Sequence, residues 1–197
     1  MSLAGRLREA LERGARRSPE ILPGDAFDED VADPTPAAVL VGIVDRPLPT
    51  VILTARPETM RKHPGQISFP GGRIDPADAD AVDAALREAE EEVGLARRFV
   101  EVIGTTDRYR TVTGFEVTPV VAVVRTGFAL APQPSEVADV FEAPLHVLLD
   151  PARQSVRTAE WRGRERTYYE IIWEGRRIWG ATAAMLVNLS RRLELAP

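Results

Sequence analysis

The chain has 197 residues, room for one domain with a few added elements; 44% hydrophobic residues supply a core and 28% charged residues a solvated surface. Thirty acidic against 25 basic residues give a net charge of −5, which argues against sequence-independent nucleic-acid binding but not against a small anionic substrate held by local arginines and a metal. There is no cysteine, so disulfides, thiolate metal sites and a cysteine nucleophile are excluded.

No apolar run reaches the length of a membrane span, and Met1-Ser2-Leu3-Ala4-Gly5-Arg6 does not lead into the apolar stretch of a signal peptide. A cytoplasmic protein is therefore expected. Leu3, Leu7 and Leu11 at i, i+4 spacing predict an amphipathic helix over 3–15. Residues 18–36, rich in Pro, Asp and Gly, read as an irregular lead-in. The β-branched runs 37–44 and 50–54, separated by Asp45-Arg46-Pro47, predict two paired strands. A polar loop over 56–66 then leads to Ile67-Ser68-Phe69 and a Pro70-Gly71-Gly72 turn.

Residues 80–93 carry the strongest helical pattern in the chain, stopped by Gly94. Strands are expected over 100–110 and 115–125, joined at Thr113-Gly114, with a short one near 139–142 and a helical turn from Pro144. A hairpin around Arg162-Gly163, between 155–161 and 167–173, precedes a closing helix over 181–193. This irregular alternation predicts a mixed sheet flanked by helices.

On a helical wheel, Val82, Leu86, Ala89 and Val93 form one apolar stripe. Glu88, Glu91 and Glu92 fall at i, i+3, i+4 on another face, roughly opposite, while Glu90 points to solvent. Arg87 can pair with Asp83 or Glu91 at i±4. A generic E-x-x-E-E run is more often a solvated acidic face than a site. Here, however, three like charges crowd one turn at the helix end where the macrodipole favours cations. Hard oxygen donors at this spacing suit Mg²⁺ or Mn²⁺, which keep several waters and lean on substrate phosphates.

Gly72, followed by Arg87-Glu88-Ala89-Glu90-Glu91-Glu92-Val93-Gly94-Leu95, resembles the signature box of the Nudix hydrolases, G-x5-E-x7-R-E-U-x-E-E-x-G-U, where U is aliphatic. The second half matches at every fixed position, with Ala89 a small substitute at the first U. The first half departs: counting from Gly72 reaches Asp78 rather than Glu, and counting back from Arg87 reaches Ala79. The first acid of the box is left without an assigned role. Upstream, Leu53-Thr54-Ala55-Arg56 and the run to Phe69-Pro70-Gly71-Gly72 are similar to the additional motif of the coenzyme A pyrophosphatase branch, with Pro57 where Ser is usual. Ser135-Glu136-Val137 and Ile178-Trp179-Gly180-Ala181 are similar to that branch as well.

The resemblance implies an α/β class chain, an α/β/α sandwich around a mixed β-sheet, with 1–36 as helix and lead-in and 37–197 as the hydrolase domain. It implies divalent metal held by Glu88, Glu91 and Glu92, and a general base drawn from Glu91 or the distal acid Glu136. Arg56, Arg61 and His63, in the cationic loop before the box, are the candidate substrate-phosphate contacts; an incidental basic loop is the competing reading. Tyr168, Tyr169, Trp173 and Trp179 could stack on a base, though strand aromatics are more often core. The implied substrate is coenzyme A or an acyl derivative. Other nucleoside diphosphate compounds (sugar nucleotides, dinucleotides, oxidised nucleotides) and a non-catalytic ligand-sensing domain are the alternatives. A small nucleotide is the expected partner, without nucleic acid or membrane, and the oligomeric state is left open.

Overall fold

A computed structural model describes residues 1–25, 33–59, 65–161 and 163–193. Two strands set the frame: β1 (Thr35–Val44) and β7 (Phe115–Val124) run parallel in continuous register from Thr35↔Phe115 to Val44↔Val124. Both are near-unbroken runs of apolar residues, as strands buried on both faces must be. The expected pairing of β1 with β2 (Thr50–Ala55) exists, but only at the hairpin end, Ile43↔Val51 and Val44↔Thr50. The rest of that edge of β1 takes β4 (Gly71–Arg73), so the main partner of β1 comes from far along the chain.

The large sheet has the order β3-β2-β1-β7-β5, where β3 is Ile67–Ser68 and β5 is Val100–Thr105. β6 (Tyr109–Arg110) adds to β7, and β8 (Asp139–Pro144) pairs antiparallel with the whole of β2, from Thr50↔Pro144 to Ala55↔Asp139. The single strand expected over 100–110 is thus two. Between them Asp107 leaves the ladder to grip Arg192, at 2.6 and 2.8 Å. A short helix, α3 (Leu145–Leu148), follows β8.

A second, antiparallel sheet stacks β9 (Ser155–Trp161), β10 (Arg164–Trp173) and β11 (Arg176–Trp179). The hairpin was legible in the sequence; β11, only four residues after a tight turn, was not.

Helices cover both faces of the large sheet. Leu3 and Leu7 of α1 (Leu3–Ala15) pack with Leu186 and Leu189 of α4 (Ala181–Leu193) over Val41, Ile43 and Leu53. On the opposite face Ala84, Ala85, Ala89 and Val93 of α2 (Ala81–Val93) pack on Ala38, Leu40, Ile52 and Val120. The architecture is the α/β/α sandwich expected. Among the described residues no helix is long and apolar enough to cross a membrane.

Candidate active site

Helix α2 starts on Asp80, whose Oδ1 accepts the Asp83 amide at 2.9 Å. It ends on Gly94 in the left-handed region, φ 69°, with its N–H donating to the Glu90 carbonyl at 3.0 Å. The buried face is wider than the stripe read from the sequence: Ala89 and Val93 are buried and Val82 and Leu86 partly so, but Ala84, Ala85 and Glu92 are buried as well. Glu92 is 7% exposed, on the border between the apolar face and the acidic one rather than opposite the core. The cause is β4, which crosses this side of α2.

That crossing requires glycine. The Gly71 N–H donates to Glu92 Oε2 at 3.0 Å. Gly71 has φ 155°, and a Cβ there would lie 2.4 Å from the Ala38 carbonyl oxygen. A Cβ on Gly72 would lie 2.6 Å from the Glu88 carboxyl carbon. The glycine pair lets two carboxylates of α2 approach the strand backbone.

Arg87 organises the other side. Its Nε and Nη2 reach Asp78 Oδ1 and Oδ2 at 2.8 and 2.9 Å, a bidentate fork. Nη1 is shared between Glu88 Oε1 at 3.0 Å and Glu91 Oε2 at 2.9 Å, and Nη2 also reaches the Arg73 carbonyl at 3.1 Å. The guanidinium holds the Asp78 carboxyl down to about 2, and the carboxylates raise Arg87 in return. Asp78, the acid reached by the count from Gly72, is therefore the anchor of Arg87. Asp83, expected as an alternative partner of Arg87, pairs instead with Arg97.

The remaining acids repel one another. Burial first, with the charges of Glu88 and Glu136 adding and the Gly71 hydrogen bond and Arg56 opposing, pushes the Glu92 carboxyl up to about 7. Glu88 is also raised, by burial first, with Glu91 and Glu136 adding and Arg87 opposing. Glu136, on a turn over 134–136, lies near enough for its charge to act on both Glu88 and Glu92. Three backbone bonds hold that turn: Ala131 N–H to the Val93 carbonyl, Gln133 N–H to the Glu92 carbonyl and Ala138 N–H to the Ala55 carbonyl, each 2.8 Å. Val137 anchors it in the core beneath α2.

Next to Ala55, Arg56 attracts the Glu92 carboxylate, and its Nε is buried without a hydrogen-bond partner among the described residues. Arg61 and His63 lie outside the described residues. Glu91 is the most exposed of the three helix acids and turns to Arg87 rather than toward Glu92. Accordingly, no three acidic or imidazole side chains among the described residues converge as a ready ligand set. The aromatics divide between the faces of the small sheet: Trp173 stacks on Phe141 at 6.0 Å over the core, and Tyr168 meets Trp179 edge-on at 5.8 Å beside Arg177.

A pH dependence of stability follows from Glu92. Its proton is held more tightly in the folded state, so this contribution is fully present below the ordinary value of 4.5 and is lost as pH rises through about 7. The shift corresponds to a loss on the order of 3 kcal/mol. Metal-free protein should melt at lower temperature at about pH 8 than at about pH 5, and Glu92→Gln should flatten that fall. Parallel melting curves for wild type and variant would refute the assignment.

Comparison with known proteins agrees with this geometry. The NUDIX domain family matches residues 33–164. The chain is similar to the uncharacterized Nudix hydrolase NudL of Enterobacter sp. (strain 638), 39% identical over 171 residues that cover 87% of this chain and 89% of the relative. NudL of Photorhabdus laumondii is 38% identical over 159 residues, 81% of this chain and 85% of the relative. Among solved structures, the Nudix hydrolase RenU of M. smegmatis is similar in fold, with TM-score 0.50 and 22% identity over 60% of this chain and 75% of that one. With a signature helix built as described and a family match over most of its length, the chain belongs to the Nudix family and is a Nudix pyrophosphohydrolase.

Proposed function

We propose that this hydrolase cleaves the diphosphate of coenzyme A or an acyl-coenzyme A, giving 4′-phosphopantetheine (or its acyl form) and adenosine 3′,5′-bisphosphate. The observation that carries the reading is that Glu92, buried at the edge of α2, lies within electrostatic reach of two further acids, Glu88 and Glu136, and of one cation, Arg56. These are acids for a metal-assisted hydrolysis and a cation for the substrate phosphates. The similarity of the loop before Gly71-Gly72 to the coenzyme A pyrophosphatase motif supports the substrate class.

The donor set fits Mg²⁺ or Mn²⁺. Glu92 is buried with one backbone N–H for partner and is raised by the charges of Glu88 and Glu136, and Glu88 is raised in turn by Glu91 and Glu136, an excess of negative charge that a cation would relieve. Glu88, Glu91 and Glu92 would hold it. For Glu91 this means leaving Arg87, an exposed i, i+4 pair worth only about 0.3–0.5 kcal/mol. Held there, a divalent ion would supply Lewis-acid polarisation of the phosphoryl group and a lowered pKa for the attacking water.

Glu136 accepts the proton of that water, with Glu91 the second candidate base. The water oxygen bonds to phosphorus, the bridging P–O bond breaks, and the leaving phosphate keeps its electron pair. Asp78 keeps Arg87 charged and oriented, so that Glu88 is presented to the site. Arg56, with Arg61 and His63, binds the anionic groups of the nucleotide. All the proposed catalytic residues lie within 37–197, the hydrolase domain, and 1–36 serves as its lead-in. The enzyme acts in the cytoplasm on a small nucleotide, with no nucleic-acid partner.

The test compares coenzyme A with dephospho-coenzyme A. If the cationic loop reads the 3′-phosphate, kcat/KM for the dephospho compound falls about 10- to 100-fold in wild type, and Arg56→Ala or Arg61→Ala erases most of the difference. Equal rates for the two compounds in wild type overturn the 3′-phosphate reading. Efficient cleavage of sugar nucleotides with neither coenzyme A compound cut replaces the substrate class.

A further inference from the structure

At the end of β2 away from Arg56 lies an open groove of about 1220 Å³ between α1, α3 and α4. Its floor is apolar: Leu3, Leu7, Leu145 and Leu149 are each less than a tenth exposed. On its wall stands Leu48, 70% exposed. Leu48 is held between two prolines, Pro47 and Pro49, which restrict the backbone. The turn is pinned on both sides. Arg46 forks onto Glu142 at 2.6 Å, and the Leu145 N–H donates to the Pro49 carbonyl at 2.9 Å. A rigid apolar knob thus stands beside an apolar hole on one face.

We propose that this face joins two copies of the chain across a two-fold axis, each Leu48 entering the groove of the other. An isologous contact needs one surface complementary to itself, and knob and hole side by side meet that need. A knob fixed in advance loses little entropy on docking. The rim charges fit the same partner. The chain as a whole carries −5, yet the groove is bordered by Arg6 and Arg191 against Glu20 and Asp150, a balanced set that removes the repulsion between two acidic copies. Asp150 is tied to Arg153, and Arg191 to the Glu20 carbonyl, within the chain. Neither the Arg6 guanidinium nor the Glu20 carboxylate has an ion-pair or hydrogen-bond partner among the described residues. One cation and one anion left over on a single rim can meet their opposites across the axis.

Sedimentation velocity over about 1–100 µM tests this, and the expected wild-type species is a dimer that dissociates on dilution. Leu48→Glu should raise the dimer dissociation constant at least about 100-fold, because two leucines lose their burial per dimer. The neutral Leu48→Ser should act in the same direction. Both should keep wild-type turnover per subunit, since Leu48 lies at the far end of β2 from the acids. Val156→Glu, at an exposed position of β9, serves as control and should stay dimeric. The proposal is overturned by a wild type that stays monomeric throughout. It also fails if the dimer is indifferent to both Leu48 variants, or if native mass spectrometry finds the groove filled by an amphiphile on a monomer.

Discussion

Glu92→Gln and Glu88→Gln should each lower kcat by at least about 100-fold while leaving the fold intact, because a neutral amide cannot hold a hard divalent cation as a carboxylate does. Gln keeps the size and helix propensity of Glu, so α2 should form as before. At position 92 the amide oxygen can still accept the Gly71 N–H, the bond that Glu92 makes at 3.0 Å. What disappears is a buried charge repelled by Glu88 and Glu136. Metal-free Glu92→Gln should therefore be more stable than wild type above about pH 7, even as it loses turnover. The check is kcat at saturating Mg²⁺ beside a thermal melt without metal. Near wild-type kcat in both variants would sink the metal-site assignment, and a melt showing lost structure would make the kcat loss uninformative. Retained binding without turnover in the wild type itself would favour a sensing domain.

Gly71→Ala should cost about 3–5 kcal/mol of stability, combining backbone strain with an overlap that no rotamer can relieve. At φ 155°, the added Cβ would lie 2.4 Å from the Ala38 carbonyl oxygen and 2.6 Å from the Val39 Cα, both backbone atoms. Gly71 is paired with Val39 in the ladder between β4 and β1, so relief requires breaking that ladder. The Gly71 N–H would move off Glu92 with it, and activity would fall along with stability. Gly114→Ala isolates the conformational part. That residue also has positive φ, 90°, but a Cβ there meets nothing within 4 Å, and a loss of only about 1 kcal/mol is expected. Urea denaturation of the two variants measures both values. A Gly71→Ala protein within about 1 kcal/mol of wild type would show that β4 is not held against β1 as described.

The amino-acid sequence by itself determined the local units of this protein. Asp80 and Gly94 bound α2 because a cap and a left-handed stop act within a few residues. The i, i+3, i+4 spacing put Glu88, Glu91 and Glu92 on neighbouring positions of one helix, and the motif around them identified the family. Asp78 was countable from Gly72, but that it binds Arg87 depended on how the loop before α2 folds back. Glu136 was a candidate by resemblance and Arg56 by its place in a cationic loop; that both act on Glu92 rests on bonds from the 131–138 segment to α2 and β2.

Tertiary structure alone decided the parallel union of β1 with β7, since each strand's pattern says that both faces are buried without naming the neighbour. It also decided the burial of Glu92. Wheel angles place a side chain relative to its own helix, whereas desolvation is set by whatever packs against it, here a strand with Gly71 at its start. The charge state of the site is a sum over residues far apart in the chain, and only the fold brings those residues within reach of one another.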